Sequence, residues 1–193
     1  MSEAMAVLRK EHDAILKMLG ATEEAARRLE AGTPVRAETL EGLLEFLRLF
    51  ADKCHHGKEE DILFKSLDRK QIPRELKATM DELKEEHLYA RKLVGRLADA
   101  KDRCVRGETD ALRDISECMG KLVEFYPAHI AKEDKRFFLP CMEQFTRQEQ
   151  AEMLQEFWDF DRFLFHEKYR KTAEQMRLCR TSGICVLPSA CLL

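Results

Sequence analysis

The sequence predicts an all-α protein, an up-down-up-down antiparallel bundle of four long helices with an additional C-terminal helix, and three observations predict it. Apolar residues recur at three- and four-residue steps over most of the chain and alternate at period two almost nowhere. Only 8 Gly and 5 Pro punctuate the 193 residues, so the periodic stretches run long. The breaks between them are short, which makes successive helices antiparallel neighbours.

Each element follows from its own signals. Ser2 opens the first helix, and Leu8, Ile15, Leu16, Leu19, Ala26 and Leu29 carry its apolar stripe until Gly32, Thr33 and Pro34 end it, predicting residues 3–31. Leu40, Leu43, Leu44, Leu47, Phe50, Ala51 and Cys54 mark a second helix over 36–68. Pro73 suits the first turn of a third, which Gly107 stops after Arg106. Thr109 or Asp110 caps a fourth helix running to Met142, with Pro127 removing one internal hydrogen bond and predicting a kink. Thr146 opens a fifth, ending near Cys179, whose aromatic residues Phe157, Trp158, Phe160, Phe163 and Phe165 are expected to dock on the bundle. The organisation is therefore a bundle over 1–145, a docked helix over 146–179 and a flexible Cys-containing tail over 180–193.

Composition excludes several function classes. Lys and Arg total 33 against 36 Asp and Glu, a net charge of −3 spread in both signs, so no polybasic face points to nucleic acid or an anionic membrane. No apolar run approaches the ~20 residues of a membrane span, and the N-terminus carries charges where a signal peptide needs its apolar stretch. The expected compartment is the cytosol. Seven cysteines without a CxxC pair suit a reducing environment; four lie in helices as small hydrophobes, and Cys179, Cys185 and Cys191 fall at or beyond the end of the fifth helix. No Ser-His-Asp set, phosphate loop or nucleotide fingerprint is present.

The strongest signal is an internal repeat. LRKEHDAILKML around His12 matches LKEEHLYARKLV around His87, and CHHGKEEDILF around His55 matches AHIAKEDKRFF around His129. Each half supplies a Glu-His helix (Glu11-His12, Glu86-His87) and then a His-x-x-Lys-Glu helix (His55 to Glu59, His129 to Glu133). Residues four apart share a helix face, so each His-Glu pair projects an imidazole and a carboxylate together. Across an antiparallel core, each pair meets the lone His of its half. A single His-x-x-x-Glu is ordinarily an i,i+4 contact on a wet face, but two in register, each after a matched Glu-His helix, point to a metal. His12, His55, Glu59, His87, His129 and Glu133 suit iron or manganese, with the carboxylates bridging two ions, whereas zinc leaves the repeat unexplained.

His56 and Glu60 share the four-residue spacing of His55 and Glu59. The repeat aligns His55 with His129 and His56 with Ile130, so His56 and Glu60 are read as rim groups that orient a ligand or shuttle a proton. Asp134 competes with Glu133 as second bridge. His166, on the fifth helix, is a candidate fifth histidine, and Tyr126 and Tyr89 lie near the ligands by helical spacing.

These residues, in this order on four successive helices, resemble the hemerythrin-like HHE cation-binding family over residues 4 to about 142. The resemblance implies a four-helix bundle holding an oxo- or hydroxo-bridged non-haem di-iron centre, with Glu59 and Glu133 bridging, His12 and His55 on one iron and His87 and His129 on the other. Oxygen-carrying members hold five histidines, the extra one a turn along the third helix; here Leu83 and Arg91 occupy the positions one turn either side of His87. The four-His, two-Glu set is closer to the branch that handles nitric oxide, peroxide or damaged iron-sulfur clusters. The expected function is reaction with a small ligand (O2, peroxide or NO), with a protein electron donor as possible partner. Reversible oxygen storage and an oxygen or iron sensor acting through a partner are the alternatives.

Overall fold

The computed structural model describes residues 2–33 and 35–182, with side chains described to Lys168 and at Arg170. Five long helices account for it, with no strand among the described residues: α1 (Glu3–Glu30), α2 (37–68), α3 (Arg74–Val105), α4 (111–142) and α5 (Arg147–Ser182). The sequence reading lies within one turn of every boundary. The expected flexible tail with Cys185 and Cys191 lies outside the described residues, apart from 180–182, which continue α5.

The helix ends have local causes. α1 and α3 each run into a glycine with positive φ, Gly32 at 69° and Gly107 at 88°, where a side chain would be strained. Behind them Thr33 N–H donates to Arg28 C=O and Glu108 N–H to Arg103 C=O, closing the last turns. α5 starts in a reciprocal cap: Glu149 N–H donates to Thr146 Oγ1, and Thr146 N–H to Glu149 Oε2. Pro127 sits on the exposed side of α4, which continues through it.

α2 and α4 are not uniform α-helix. Wide π turns occupy Phe46–His56 and Glu59–Phe64 of α2 and Glu133–Phe137 of α4. These are the segments that carry His55, His56, Glu59 and Glu133. A π turn holds more residues than an α turn and re-aims the side chains around it.

The helices pack as a bundle: α4 lies against α1 and α3, α2 against α1 and α3, and α5 against α1 and the π segments of α2. Two apolar clusters fill it. One, around Leu47, Leu97, Ile115 and Leu122, takes residues from α1 to α4. The other, around Leu8, Leu63, Met80 and Phe137, also takes Met153, Leu154 and Phe157 from α5. Leu8 belongs to one cluster and Ile15 to the other, so His12 lies between them, as His87 does between Leu83 and Ala90.

The docking of α5 differs from the sequence expectation. Phe157 is fully buried and Phe160 half-buried, whereas Trp158, Phe163 and Phe165 are exposed. A helix lying on a bundle can bury only one stripe, and these three fall off it. Phe160 approaches Gly57 so closely that an added Cβ would meet its ring at 2.7 Å, so Gly57 opens the seat for α5.

Because Leu122 is wholly buried, Leu122→Ala is expected to lower the unfolding free energy by about 2–5 kcal/mol in urea denaturation. A loss below about 1 kcal/mol would contradict this packing.

Candidate metal centre

His12 comes from α1, His55 and Glu59 from α2, His87 from α3, and His129 and Glu133 from α4; all six are buried. Between the apolar clusters their polar atoms converge. His12 Nε2 lies 3.0 Å from His55 Nε2 and 3.1 Å from Glu133 Oε2, and His55 Nε2 lies 3.7 Å from Glu59 Oε1. On the other side, His87 Nε2 lies 3.4 Å from Glu59 Oε2 and 3.6 Å from Glu133 Oε1, and His129 Nε2 lies 3.4 Å from Glu133 Oε1. Each carboxylate thus turns one oxygen toward each pair of histidines.

The outward ring nitrogens explain the orientation of the inward ones. His12 Nδ1 donates to Asp134 Oδ1 (3.2 Å), His55 Nδ1 to Glu11 Oε2 (3.0 Å), His87 Nδ1 to Glu60 Oε1 (2.7 Å) and His129 Nδ1 to Glu86 Oε2 (2.8 Å). An ionised carboxylate only accepts, so the proton sits on each Nδ1 and, in a neutral ring, Nε2 faces inward with its lone pair. Every orienting acid is held by a cation in turn. Arg9 bonds Asp134, Lys58 bonds Glu11, Arg91 bonds Glu60 and Lys132 bonds Glu86. Burial pushes these four carboxyls up, and the histidine and cation beside each outweigh it, holding all four below the ordinary carboxylate range.

Inside this ring the polar atoms have no protein solution. Both oxygens of Glu59, both of Glu133, and Nε2 of His87 and of His129 are buried without a hydrogen-bond partner. Leaving ionised groups buried in this way is strongly unfavourable unless a cation joins them. Without one, protons are drawn in. Burial opposes a charged His12, but Asp134 and Glu133 overcome it and push its pKa up to about 10; His87 rises for the same reason beside Glu133 and Glu59. His12, His55, Glu59 and Glu133 bring their donor atoms close enough together to hold a metal ion, and so do His87 and His129 with His56. Aromatic rings wall the centre: Phe138 stacks on His12, Phe64 on His87 and Phe125 on His129.

The remaining candidates separate clearly. His56 is buried and groups with His87 and His129. Glu60 and Asp134 face the outer nitrogens of His87 and His12 rather than the interior. His166 lies on an exposed part of α5 and joins no cluster among the described residues, because the stripe that buries Phe157 turns it away. Tyr89 is exposed and stacks edge-on to Phe125; Tyr126 is buried beside His56. The sequence motifs assign no role to Lys58, Lys132, Arg9 or Arg91. The repeated Glu-His and Lys-Glu-acidic triplets carried that signal for the two lysines.

The two halves differ at one point. Lys132 sits between Glu86 and Glu82, both on α3. Lys58, its counterpart, sits between Glu11 and Asp161, because Val7 stands where the repeat has Glu82 and α5 supplies the second acid. Glu11, Cys54 and Asp161 also converge, but the Lys58 ammonium already fills that group. Burial and Asp161 push the Cys54 thiol up to about 12, so it stays protonated and donates to Asp161.

Two expectations follow. Glu86→Ala, which frees the His129 ring, is expected to weaken metal binding about 10–100-fold in chelator competition, and unchanged affinity would refute its orienting role. In metal-free protein, the depressed acids contribute stability present above about pH 4.5 that is lost as pH falls through their folded values. Raised His12 contributes stability complete below pH 6.5 and lost as pH rises toward about 10. Thermal melting across pH should show both limbs, and metal loading should abolish the alkaline one.

Comparison with curated proteins and with solved structures gave no match. The hemerythrin HHE cation binding domain family matches residues 3–141, the span that supplies all six clustered residues. With most of its length matched and its histidines and glutamates converging in the bundle, the chain belongs to the hemerythrin HHE cation-binding family.

Proposed function

We propose that the chain is a non-haem di-iron protein that binds and reacts with O2, peroxide or NO, serving oxidative or nitrosative stress defence or iron handling in the cytosol. The observation that carries this reading is the pair of buried carboxylates, Glu59 and Glu133, each with one oxygen toward each histidine pair and neither bonded to a protein donor. In this reading residues 3–142 form an up-down-up-down bundle. His12 and His55 would hold one ion and His87 and His129 the other, with Glu59 and Glu133 offering an oxygen to each. Carboxylate bridging with imidazole donors favours iron, then manganese, over the closed tetrahedral site that structural zinc prefers.

Iron supplies electron exchange with small oxidants, which no side chain in this cluster can supply alone. The protein's part is geometric. The Nδ1–carboxylate bonds fix the tautomer and aim each Nε2 inward, and Phe64, Phe125 and Phe138 wall the centre. Repeated net reduction of O2, peroxide or NO needs an electron donor, a role that a partner protein would fill. The chain of contacts from Asp161 on α5 through Lys58 and Glu11 to His55 supports a second reading, a sensor in which metal or ligand occupancy alters the seating of α5.

The test loads the full chain with Fe2+ under argon and measures iron per chain. About two irons are expected, and under half of that in Glu133→Ala. Reduced protein should then consume peroxide or NO; a reversible oxygen spectrum without consumption would favour storage. A chain that takes up no iron would overturn the reading.

A further inference from the structure

The second half of the repeat carries an aromatic group that the first half lacks. Counting from the matched histidines, Tyr89, Phe125 and Tyr126 stand where the first half has Ala14, Ala51 and Asp52. Their rings are in contact. Phe125 stacks on the His129 ring at 5.3 Å and meets Tyr126 and Tyr89 edge-on at 5.4 Å and 5.2 Å between centroids. Tyr126 itself lies 6.4 Å from the rings of His129 and of His56. A run of touching rings thus leads from the buried histidines to the surface, where Tyr89 is 44% exposed.

Packing alone does not call for phenols here. A phenyl ring would fill the place of Tyr126, which is 1% exposed, without carrying a hydroxyl into the core. What a phenol adds is redox chemistry, since it can lose an electron together with its proton where a phenyl ring cannot. Tyr126 has an outlet for that proton. With Asp52 and Arg91 it lines a cavity of about 350 Å³ between α2 and α3, to which the exposed residues Arg48 and Gly95 also belong.

We propose that Tyr126 and Tyr89 form a redox relay that carries the oxidising equivalents of peroxide from the centre to the surface. This rests on the di-iron, peroxide-reacting reading above and deepens it. In the balanced step the O–O bond of one H2O2 breaks, and its oxygens take up two electrons and two protons to leave as two H2O. Tyr126 and Tyr89 supply one electron each. Each also gives up its phenolic proton, Tyr126 to the cavity beside Asp52 and Tyr89 to bulk water, and two phenoxyl radicals remain. Tyr89 takes an electron and a proton back from a one-electron donor at the surface. Tyr126, which is buried, is restored through Tyr89 across Phe125. Tyr89 is therefore the point at which the donor that turnover requires delivers its electrons.

The test loads the full chain with Fe2+ under argon, mixes it with H2O2, freezes it during turnover and records electron paramagnetic resonance beside a metal-free sample. Iron-loaded wild type is expected to give a phenoxyl signal whose hyperfine pattern collapses when the chain is made with ring-deuterated tyrosine. The metal-free sample should give none. Tyr89→Phe should retain the signal, on Tyr126, and prolong its life. In that variant, peroxide turnover driven by ascorbate should fall about 10-fold or more with the KM for peroxide unchanged. The double variant Tyr89→Phe, Tyr126→Phe keeps every ring, and should lose the signal with iron per chain and metal-free melting temperature unchanged.

A signal that persists in the double variant would overturn the relay. Iron-loaded wild type that consumes peroxide without a tyrosine-derived signal would overturn it as well, and either result leaves the di-iron reading standing. A chain that takes up no iron would overturn both.

Discussion

Glu59 and Glu133 lie fully buried between two apolar clusters, and no hydrogen-bond donor offsets either charge. Everything near them answers that electrostatic demand. Imidazole nitrogens face them from four helices, and where no cation is bound the demand shows as a strongly raised affinity of His12 and His87 for protons. The fold stays compact around such a charge because the clusters on either side carry the burial, leaving the centre to be satisfied by what it binds.

The outer shell ties the halves of the repeat to each other. Glu60, beside Glu59 on α2, bonds His87 of the second half, and Asp134, beside Glu133 on α4, bonds His12 of the first. Each Glu-acidic pair therefore faces one oxygen donor inward and one outward. The π turns that carry these pairs alter the angular step between successive residues where two neighbours must serve different layers. Phe64 and Phe138, at matching positions of the repeat, back His87 and His12 in the same way.

Symmetry ends at Lys58 and at His56. Asp161 replaces the acid that Val7 cannot offer, so the environment of His55 depends on α5 while that of His129 is complete within α3 and α4. His56 adds a ring beside His87 and His129, whereas its counterpart in the repeat, Ile130, adds none beside His12 and His55. The repeated scaffold thus has two unlike faces.

The helices are legible in the amino-acid order alone, because three- and four-residue periodicity and helix-stopping glycines such as Gly32 and Gly107 are local properties. It also determined which residues meet, since the repeat placed His12, His55, Glu59, His87, His129 and Glu133 in equivalent positions of two halves. Which way each of them faces, and what lies behind it, depends on how the helices pack. Asp134 orients His12 across 122 residues, and Glu11 orients His55 across 44. Those pairings depend on how far each helix is rotated against its neighbours. The rotation is set jointly by the apolar faces packed above and below the centre and by the π turns within it, and no spacing along one helix encodes it. The same reason separates His56 from His166: one lies where a wide turn faces the core, the other on a side of α5 that packing leaves in solvent.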